Sequence, residues 1–335
     1  MNTLRKGKKL VCIILAIIFS LGLFACETPN ETPDDVGSID ILSPNGFYVS
    51  FIDVGQGDSA LINLPNGKKI MIDCGSRMDF ATGSIKSFLQ KAKVDKIDYL
   101  ILTHPDEDHV GGALSLINDI SVGQLFVPLV YSRELFPVYN SVINLCEEKQ
   151  IPTFVSQRSV IEKGEDFSVS ILAPAKWSDN QSSYRDFNLA ENPTETQTND
   201  ISAVVFIEYK GISFLFTGDI SSKQEQKILA NYQNGIYTNE FSKQGANINL
   251  SEIDFLKVSH HGSADSSSEQ FLNLLKPSNA VISVGGDNIF GHPSTSVLNR
   301  IINANQNCNV LRTDVKGSII VTVNDNGQYS VNFDK

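Results

Sequence analysis

Short apolar runs alternate with polar turns and amphipathic stretches from about residue 46 to the end of the chain. Runs rich in β-branched and aromatic residues predict strands, and an apolar residue every three or four positions predicts a helix. The strands predicted in the first half of the chain cover residues 46–54, 58–64, 68–75, 97–104, 151–155 and 167–174. Helical spacing covers residues 84–93, 113–118 and part of 132–150.

The second half repeats this alternation after a long polar stretch, residues 177–200, which predicts a surface loop. Its predicted strands are a pair within 201–219 around a Lys-Gly turn, one beginning at 253, one over 280–286, and a closing hairpin at 317–325 and 328–334. Its predicted helices cover 221–233, 267–276 and 297–306. Because these elements show no regular βαβ repetition, we predict an α+β fold of two packed sheets with helices outside.

The first 25 residues have the pattern of a secretory signal. Basic residues at positions 5, 6, 8 and 9 precede an apolar run, 10–24, that is short for a membrane span. Residues 23–26 resemble a bacterial lipobox, in which Cys26 carries the lipid. We therefore expect a lipoprotein signal peptide (1–25), a polar tether (26–46) and a folded domain (47–335). An uncleaved anchor helix is the alternative, and both interpretations predict a domain outside the cytoplasmic membrane of a bacterium.

The charge of the chain restricts its partners. It carries 27 Lys and Arg against 38 Asp and Glu, a formal net charge of −11. Loss of the four basic residues of the signal leaves 23 against 38, a charge of −15. Such a surface repels nucleic acid, so a phosphate substrate needs a local cationic centre. The basic residues nearest in sequence to the polar motifs are Arg77, Lys257 and Lys316.

Dense polar motifs follow several predicted strands, and strand ends are where rigid scaffolds gather active-site groups. The densest motif is His104-Pro105-Asp106-Glu107-Asp108-His109. Imidazole nitrogens and carboxylate oxygens suit zinc, manganese or iron, and a carboxylate can bridge two ions. We therefore predict two divalent metal ions, zinc or manganese.

The spacing of the ligand types allows an arrangement around these two ions. His104 and Asp106 can face one ion, while Asp108 and His109 face the other. Asp219 is the natural bridge between the ions. His260 or His261 completes the second site.

The motif at 104–109 resembles the HxHxDH signature of the metallo-β-lactamase fold, with Asp106 in place of the middle histidine. Together with FIDVGQGDSALI, MIDCG, TGDI, LKVSHHGS and FGHPS, it resembles the extracellular β-lactamase-like domain of ComEC-type DNA-uptake proteins. The resemblance runs from about residue 47 to 325. It implies a four-layer αββα sandwich with a dinuclear site between the sheets, in a free-standing secreted member of the family.

The resemblance also implies roles for single residues. The implied metal ligands are His104, Asp106, Asp108, His109, Asp219 and one of His260 and His261. Asp73 would be a buried acid that orients the ligands. The candidate catalytic residues are Asp108, His260, His261 and His292, although His292 could instead cap the loop before the last helix.

One position departs from the family pattern. No histidine lies between residues 109 and 260, so the isolated ligand histidine of the wider fold is missing. Asn199 or Asp200 could fill this position, or the first metal could keep more water ligands. We interpret residues 55–58, GQGD, as a tight turn near the site rather than as ligands.

These features predict a metal-dependent hydrolase in which a metal-bound hydroxide attacks a phosphodiester, with DNA or another nucleic acid as the leading substrate. A cell-wall or lipid phosphodiester of the phosphocholine type is the enzymatic alternative. A catalytically inactive binding lipoprotein is the alternative from a different class. We expect membrane contact through the lipid anchor, and no protein partner is predicted.

The lipobox generates a prediction about Cys26. In a bacterial host, Cys26→Ala should abolish labelling by a fatty-acid probe and release the protein from the membrane fraction, because the lipidated side chain is removed. Cys12→Ala, within the apolar run, should leave both unchanged. Labelling that survives the Cys26 change would contradict the lipoprotein assignment.

Overall fold

The computed structural model describes residues 46–130, 133–175 and 194–335. The predicted signal peptide, and all but the last residue of the predicted tether, lie outside the described residues, so both stay predictions. Within the described ranges, no helix has both the length and the apolar character needed to cross a membrane.

The described residues form two sheets, one of eight strands and one of seven. In chain order the strands are β1 (Phe47–Phe51), β2 (Ser59–Asn63), β3 (Lys69–Cys74), β4 (Lys96–Ile101), β5 (Ser121–Val127), β6 (Thr153–Val155), β7 (Ser159–Lys163), β8 (Phe167–Ala173), β9 (Val204–Tyr209), β10 (Ile212–Phe216), β11 (Phe255–Lys257), β12 (Asn279–Ile282), β13 (Asn309–Arg312), β14 (Ile319–Val323) and β15 (Tyr329–Phe333). The first sheet has the order β15-β14-β1-β2-β3-β4-β5-β6, and the second has β13-β12-β11-β10-β9-β8-β7. The closing hairpin therefore returns to the first sheet, where β14 pairs antiparallel with β1.

The helices lie between these strands in sequence. They are α1 (Asp79–Lys91), α2 (Glu107–Val110), α3 (Ala113–Asp119), α4 (Pro137–Glu148), α5 (Glu195–Asn199), α6 (Ser222–Gln233), α7 (Ile236–Phe241), α8 (Glu269–Leu275), α9 (Thr295–Ala304) and α10 (Thr313–Lys316). Short 3₁₀ turns cover Arg133–Leu135, Ser242–Gln244 and Ser259–Gly262.

The core between the sheets is built from alternate residues of the strands. Phe47 and Phe51 of β1 contact Phe214 and Phe216 of β10, with ring centroids 5.7 and 5.3 Å apart. The residue between them, Val49, belongs to the same cluster, while the adjacent Tyr48 packs into a second cluster with α1, α3 and α4. Successive strand residues point to opposite faces, so a strand covered on both faces, such as β1, is mostly apolar.

A third apolar cluster covers the outer face of the second sheet. Leu215 of β10 packs there with Ile228 of α6, Phe271 of α8 and Val297 of α9. Three apolar clusters therefore lie between four layers, and the order of the layers is helices, sheet, sheet, helices. This confirms the predicted αββα sandwich of the α+β class.

Most predicted elements are confirmed, and several elements were missed. The sequence pattern did not predict β5, β7, β13 or α7, and β7 is an edge strand with an irregular register against β8. The end of the predicted loop at 177–200 forms α5, whose first turn carries a capping box between Thr194 and Gln197. Residues 177–193 of that loop lie outside the described part of the chain.

Close backbone packing generates a stability prediction. A Cβ at Gly112, before α3, would overlap the Cys74 carbonyl oxygen of β3, whereas a Cβ at Gly83, within α1, would meet nothing within 4 Å. We expect Gly112→Ala to lower the free energy of unfolding by about 1–3 kcal/mol through overpacking. Gly83→Ala should raise it by about 0.5–1 kcal/mol through helix propensity. Urea unfolding of both variants measures the difference, and equal stability of the two would contradict the packing argument.

Candidate metal centre

The polar motifs meet because they follow neighbouring parallel strands. β3 and β4 are parallel in the first sheet, and β10 and β11 are parallel in the second. Asp73 lies near the end of β3, His104 follows β4, Asp219 follows β10, and His260 and His261 follow β11. The carboxyl ends of parallel strands share one edge of a sheet, so each sheet delivers its polar residues to one place.

Asp73 is a fully buried carboxylate that anchors the motif at 104–109. Its Oδ1 accepts a hydrogen bond from the Thr103 backbone N–H at 2.7 Å. Its Oδ2 accepts from the Thr103 hydroxyl at 2.7 Å and from His109 Nδ1 at 2.8 Å. Burial raises the pKa of Asp73 above its usual range. This is the position expected of an acid that orients the ligands.

Three imidazoles are held through Nδ1, so that Nε2 is left to face the site. His109 Nδ1 is bonded to Asp73, and His261 Nδ1 lies 2.9 Å from the Ser283 carbonyl oxygen. His104 Nδ1 lies 3.1 Å from the Thr103 hydroxyl oxygen, whose proton is donated to Asp73. A hydrogen bond at one ring nitrogen selects the tautomer in which the other nitrogen can bind a metal.

The Asp219 carboxylate lies close to the Nε2 atoms of all three imidazoles. Its Oδ2 lies 3.3 Å from His109 Nε2, 3.4 Å from His261 Nε2 and 4.0 Å from His104 Nε2. Asp108 Oδ2 also lies 3.3 Å from His261 Nε2. Asp219 is therefore in contact with histidines from both sheets, as a bridging carboxylate requires.

This donor set fits divalent metal ions. The Nε2 atoms of His104, His109 and His261 are buried and have no hydrogen-bond partner, an arrangement that is costly unless another group binds them. The donor atoms of His104, His109 and Asp219 lie within 4.8 Å of one another, and so do those of Asp108, His109 and His261. Mixed imidazole and carboxylate donors suit zinc, manganese and iron. The number of ions and their identity stay predictions.

The carboxylates of the site require positive charge beside them. Burial alone would lower the pKa of His109 and of His261, but Asp219 and its neighbours raise both pKa values well above the usual range. Burial and the adjacent His109 lower the pKa of His104 to about 3. Burial also raises the pKa of Asp106 to about 7. Divalent cations held by these donors would supply positive charge to the same carboxylates.

His260 and His261 differ in their exposure and in their neighbours. The His261 side chain is 2% exposed and lies among the metal donors, whereas the His260 side chain is 16% exposed. His260 lies near the candidate substrate side, with its ring 5.6 Å from the ring of His292. The Asn288 side-chain amide donates to the His292 carbonyl oxygen and accepts from the His292 backbone N–H, each at 2.9 Å. Ser294 is the residue that caps α9.

The two candidates for the missing ligand have different surroundings. The terminal amide of Asn199 lies 3.2 Å from Asp106 Oδ2 and 3.1 Å from the Glu195 carbonyl oxygen, and it can donate to both when its NH₂ group is turned toward them. Asp200 Oδ1 instead accepts from the backbone and hydroxyl of Ser221, at 3.0 and 2.6 Å. Asp200 is thus engaged elsewhere, and Asn199 is the candidate that lies beside the motif.

Sequence reasoning placed the turn at 55–58 and Lys257 near the polar motifs, but it did not predict that Asp58 and Lys257 are buried together in the site. Asp58 is 6% exposed, and its Oδ1 lies 3.4 Å from His261 Nδ1. Lys257 is 3% exposed and forms an ion pair with Asp58. The sequence feature that could have indicated the burial of Lys257 is its position as the single charged residue of the apolar run FLKV. Because Lys257 is buried and paired, it is not one of the basic residues available to a substrate.

A cleft of about 700 Å³ opens at the cluster. Its lining includes the carboxylates of Asp106, Glu107, Asp108, Glu195, Asp219 and Asp265, and the side chains of His260, His261, Phe290 and His292. No Lys or Arg is among the described residues that line it. The cleft is therefore strongly acidic.

Several site residues have unusual backbone conformations. Asp73, His260 and His261 have φ values of 56°, 50° and 52°, in the left-handed region that costs non-glycine residues free energy. Gly218, which precedes Asp219, also has a positive φ, and a Cβ there would press on Ser202. Such conformations persist where the surrounding structure holds them, and they cluster at functional sites.

Comparison with known families agrees with this fold and site. Residues 52–286 match the Metallo-beta-lactamase superfamily, which is well over half of the chain. The chain therefore belongs to the metallo-β-lactamase superfamily.

Its relatives among characterised proteins include competence and recombination proteins. The chain is 28% identical to ComE operon protein 3 of Bacillus subtilis over 81% of its own length, and 26% identical to Competence protein ComA of Neisseria gonorrhoeae over 92%. It is 29% identical to Recombination protein 2 of Haemophilus influenzae over 78%. The aligned regions cover 32%, 37% and 27% of those proteins, so the chain spans about a third of their length. These similarities confirm the resemblance to competence proteins.

The geometry of Asp219 predicts the metal content of a variant. Because Asp219 contacts histidines from both sheets, Asp219→Ala should lose at least one of two bound ions. Asp95→Ala, at an exposed position before β4, should keep both. Elemental analysis after reconstitution with zinc or manganese measures the content. Retention of both ions by the Asp219 variant would contradict its bridging role.

Proposed function

We propose that this protein is a metal-dependent phosphodiesterase, anchored outside the cytoplasmic membrane by a lipid on Cys26. The observation that carries the proposed chemistry is the set of three buried imidazoles without hydrogen-bond partners at Nε2, all within 4.0 Å of Asp219. The proposed metal ligands are His104, Asp106, Asp108, His109, Asp219 and His261. The proposed location rests on the sequence pattern of residues 1–26.

Bound by these donors, two divalent cations would supply Lewis acidity that stabilises charge developing on a phosphoryl oxygen. The contribution of the protein is a site that is ordered in advance. Asp73 fixes the ring of His109, and the Ser283 carbonyl fixes the ring of His261. Donors held in this way need little reorganisation during the reaction.

His260 and His292 are the residues we propose on the substrate side. His260 Nε2 lies 3.9 Å from Asp219 Oδ2, and both imidazoles line the cleft. An N–H of His292 can donate a proton to the leaving oxygen of a diester bound there, because His292 is held by Asn288 and lies outside the donor cluster.

The lining of the cleft supports small diesters over long polyanions. Each further phosphate of a duplex needs a cationic partner, and no Lys or Arg is among the described lining residues. Arg77 lies beside Glu107 at 3.5 Å, and Lys316 lies over the ring of Phe333 at 5.0 Å. The names of the competence and recombination relatives support DNA as a substrate to test, but the charge of the cleft opposes it.

A diester that carries a cationic group is the second candidate substrate, as in phosphocholine-bearing cell-wall or lipid polymers. The specific observation in its favour is the acidic lining, combined with the Phe290 ring, which is 63% exposed at the cleft. Carboxylates and an aromatic face together attract a quaternary ammonium group.

A substrate panel tests this proposal. We expect the metal-loaded protein to hydrolyse bis(p-nitrophenyl) phosphate and p-nitrophenyl phosphorylcholine faster than plasmid DNA, and to leave nitrocefin intact. Asp95→Ala should match the wild type, whereas Asp219→Ala should be inactive. Faster cleavage of plasmid DNA would overturn the substrate ranking. Metal binding without hydrolysis of any diester would favour the alternative of an inactive binding lipoprotein.

The proposed role of His292 has a separate test. His292→Ala should lower kcat about 10²-fold or more, the usual contribution of a general acid, without changing the metal content. The exposed Thr295→Ala, at the start of α9, is the matched control. Steady-state kinetics and elemental analysis measure the two quantities. Unchanged kcat would remove His292 from the mechanism.

A further inference from the structure

A buried ion pair lies behind the proposed metal centre, and it joins the two sheets. Asp58 immediately precedes β2 of the first sheet, and Lys257 is the last residue of β11 in the second. We propose that Lys257, held by Asp58, is a positioning residue that orients Asp219 and limits the centre to two metal ions. This inference rests on the metal centre proposed above, and it gives a role to two residues outside the proposed ligand set.

The contacts of Lys257 fix one side of the Asp219 carboxylate. Its Nζ lies 3.6 Å from Asp219 Oδ1 and donates a hydrogen bond to the Gly218 carbonyl oxygen at 3.3 Å. Asp219 Oδ1 is buried without a hydrogen-bond partner, while Oδ2 faces the imidazoles. The attraction of Lys257 for Oδ1 therefore keeps Oδ2 directed at the histidines.

A close approach of the backbone sets the position of Asp58. Gly57 has φ +129°, and a Cβ there would overlap the Asp108 carbonyl oxygen. The Asp58 N–H donates to that same oxygen at 3.2 Å. The Asp58 carboxylate then lies 3.4 Å from His261 Nδ1 and 3.8 Å from His109 Nδ1, on the side of each ring that is turned away from Asp219.

The ion pair also balances the charge of the site. Five buried or partly buried carboxylates lie within or directly beside the donor cluster, those of Asp58, Asp73, Asp106, Asp108 and Asp219. Two divalent cations and Lys257 together carry as many positive charges as these carboxylates carry negative ones. Without Lys257 the same two cations would leave a buried negative charge uncompensated, which is strongly unfavourable.

Lys257 also occupies a place where a further cation could bind. The donor atoms of Asp58, Asp219 and His261 lie within 4.8 Å of one another and could by distance hold an ion. The Lys257 ammonium is already in contact with two of these three residues. A fixed ammonium at this point excludes a metal ion by repulsion and by volume.

The test replaces the pair by neutral residues of similar shape. Asp58→Asn with Lys257→Met removes both charges together, so neither partner is left buried and unpaired. The matched control is Arg158→Met with Glu240→Gln, a second ion pair of the described region, which joins the start of the edge strand β7 to α7. Thermal unfolding, elemental analysis and calorimetric titration with manganese are measured for each.

We expect the Asp58/Lys257 double variant to fold and to bind manganese about 10- to 100-fold more weakly than wild type, the usual effect of losing outer-sphere support. The control variant should bind manganese as the wild type does. Wild-type affinity and stoichiometry in a folded Asp58/Lys257 variant would overturn the inference.

Lys257→Gln covers the case in which the double variant does not fold, because the amide can still donate to Asp58 and Gly218. It should bind manganese more weakly in the same range. If the double variant and Lys257→Gln both fail to fold while the Arg158/Glu240 control folds, the inference is also overturned. The ion pair would then be needed for folding rather than for positioning Asp219. Absence of metal from the wild type would refute the proposed function itself, and that result is distinct from all of these.

Discussion

Ionised carboxylates buried between two sheets are costly unless positive charge or hydrogen-bond donors are buried with them. Asp58, Asp73 and Asp219 are each at most 6% exposed, and this requirement explains what surrounds them. Imidazoles approach from both sheets, and Lys257 lies between two of the acids. The proposed cations complete the same balance. The arrangement of strands around the site can be understood as the means of bringing these opposite charges together.

The site and the core between the sheets depend on one another. The first sheet contributes Asp73, His104 and His109, and the second contributes Asp219 and His261. A shift of one sheet over the other would separate Asp219 from two of its histidines. The packed aromatic rings of β1 and β10 resist such a shift, because they interlock the same two sheets. Packing far from the metal donors thus sets the distances among them.

The fold and most of the candidate site could be predicted because their signals are local. Apolar runs predict buried strands, and the motif at 104–109 places several donors within six residues. Asp58 and Lys257 could not be predicted in this way, since their partnership joins residues 199 positions apart. The choice between His260 and His261 likewise depends on backbone conformation, because both residues have a left-handed φ that no motif encodes. The edge strand β7 is half-buried, so its pattern is weaker than that of a central strand.

The pairing of β1 with β14 has a consequence for the order of folding. Phe47 lies opposite Val323, so the first strand of the fold pairs with a segment near the end of the chain. Until β14 is available, β1 has an open edge next to apolar side chains, and open edges of this kind promote association between chains. Such long-range pairing also slows folding, because a large loop must close before the contact forms. Completion of the first sheet therefore requires segments from both halves of the chain.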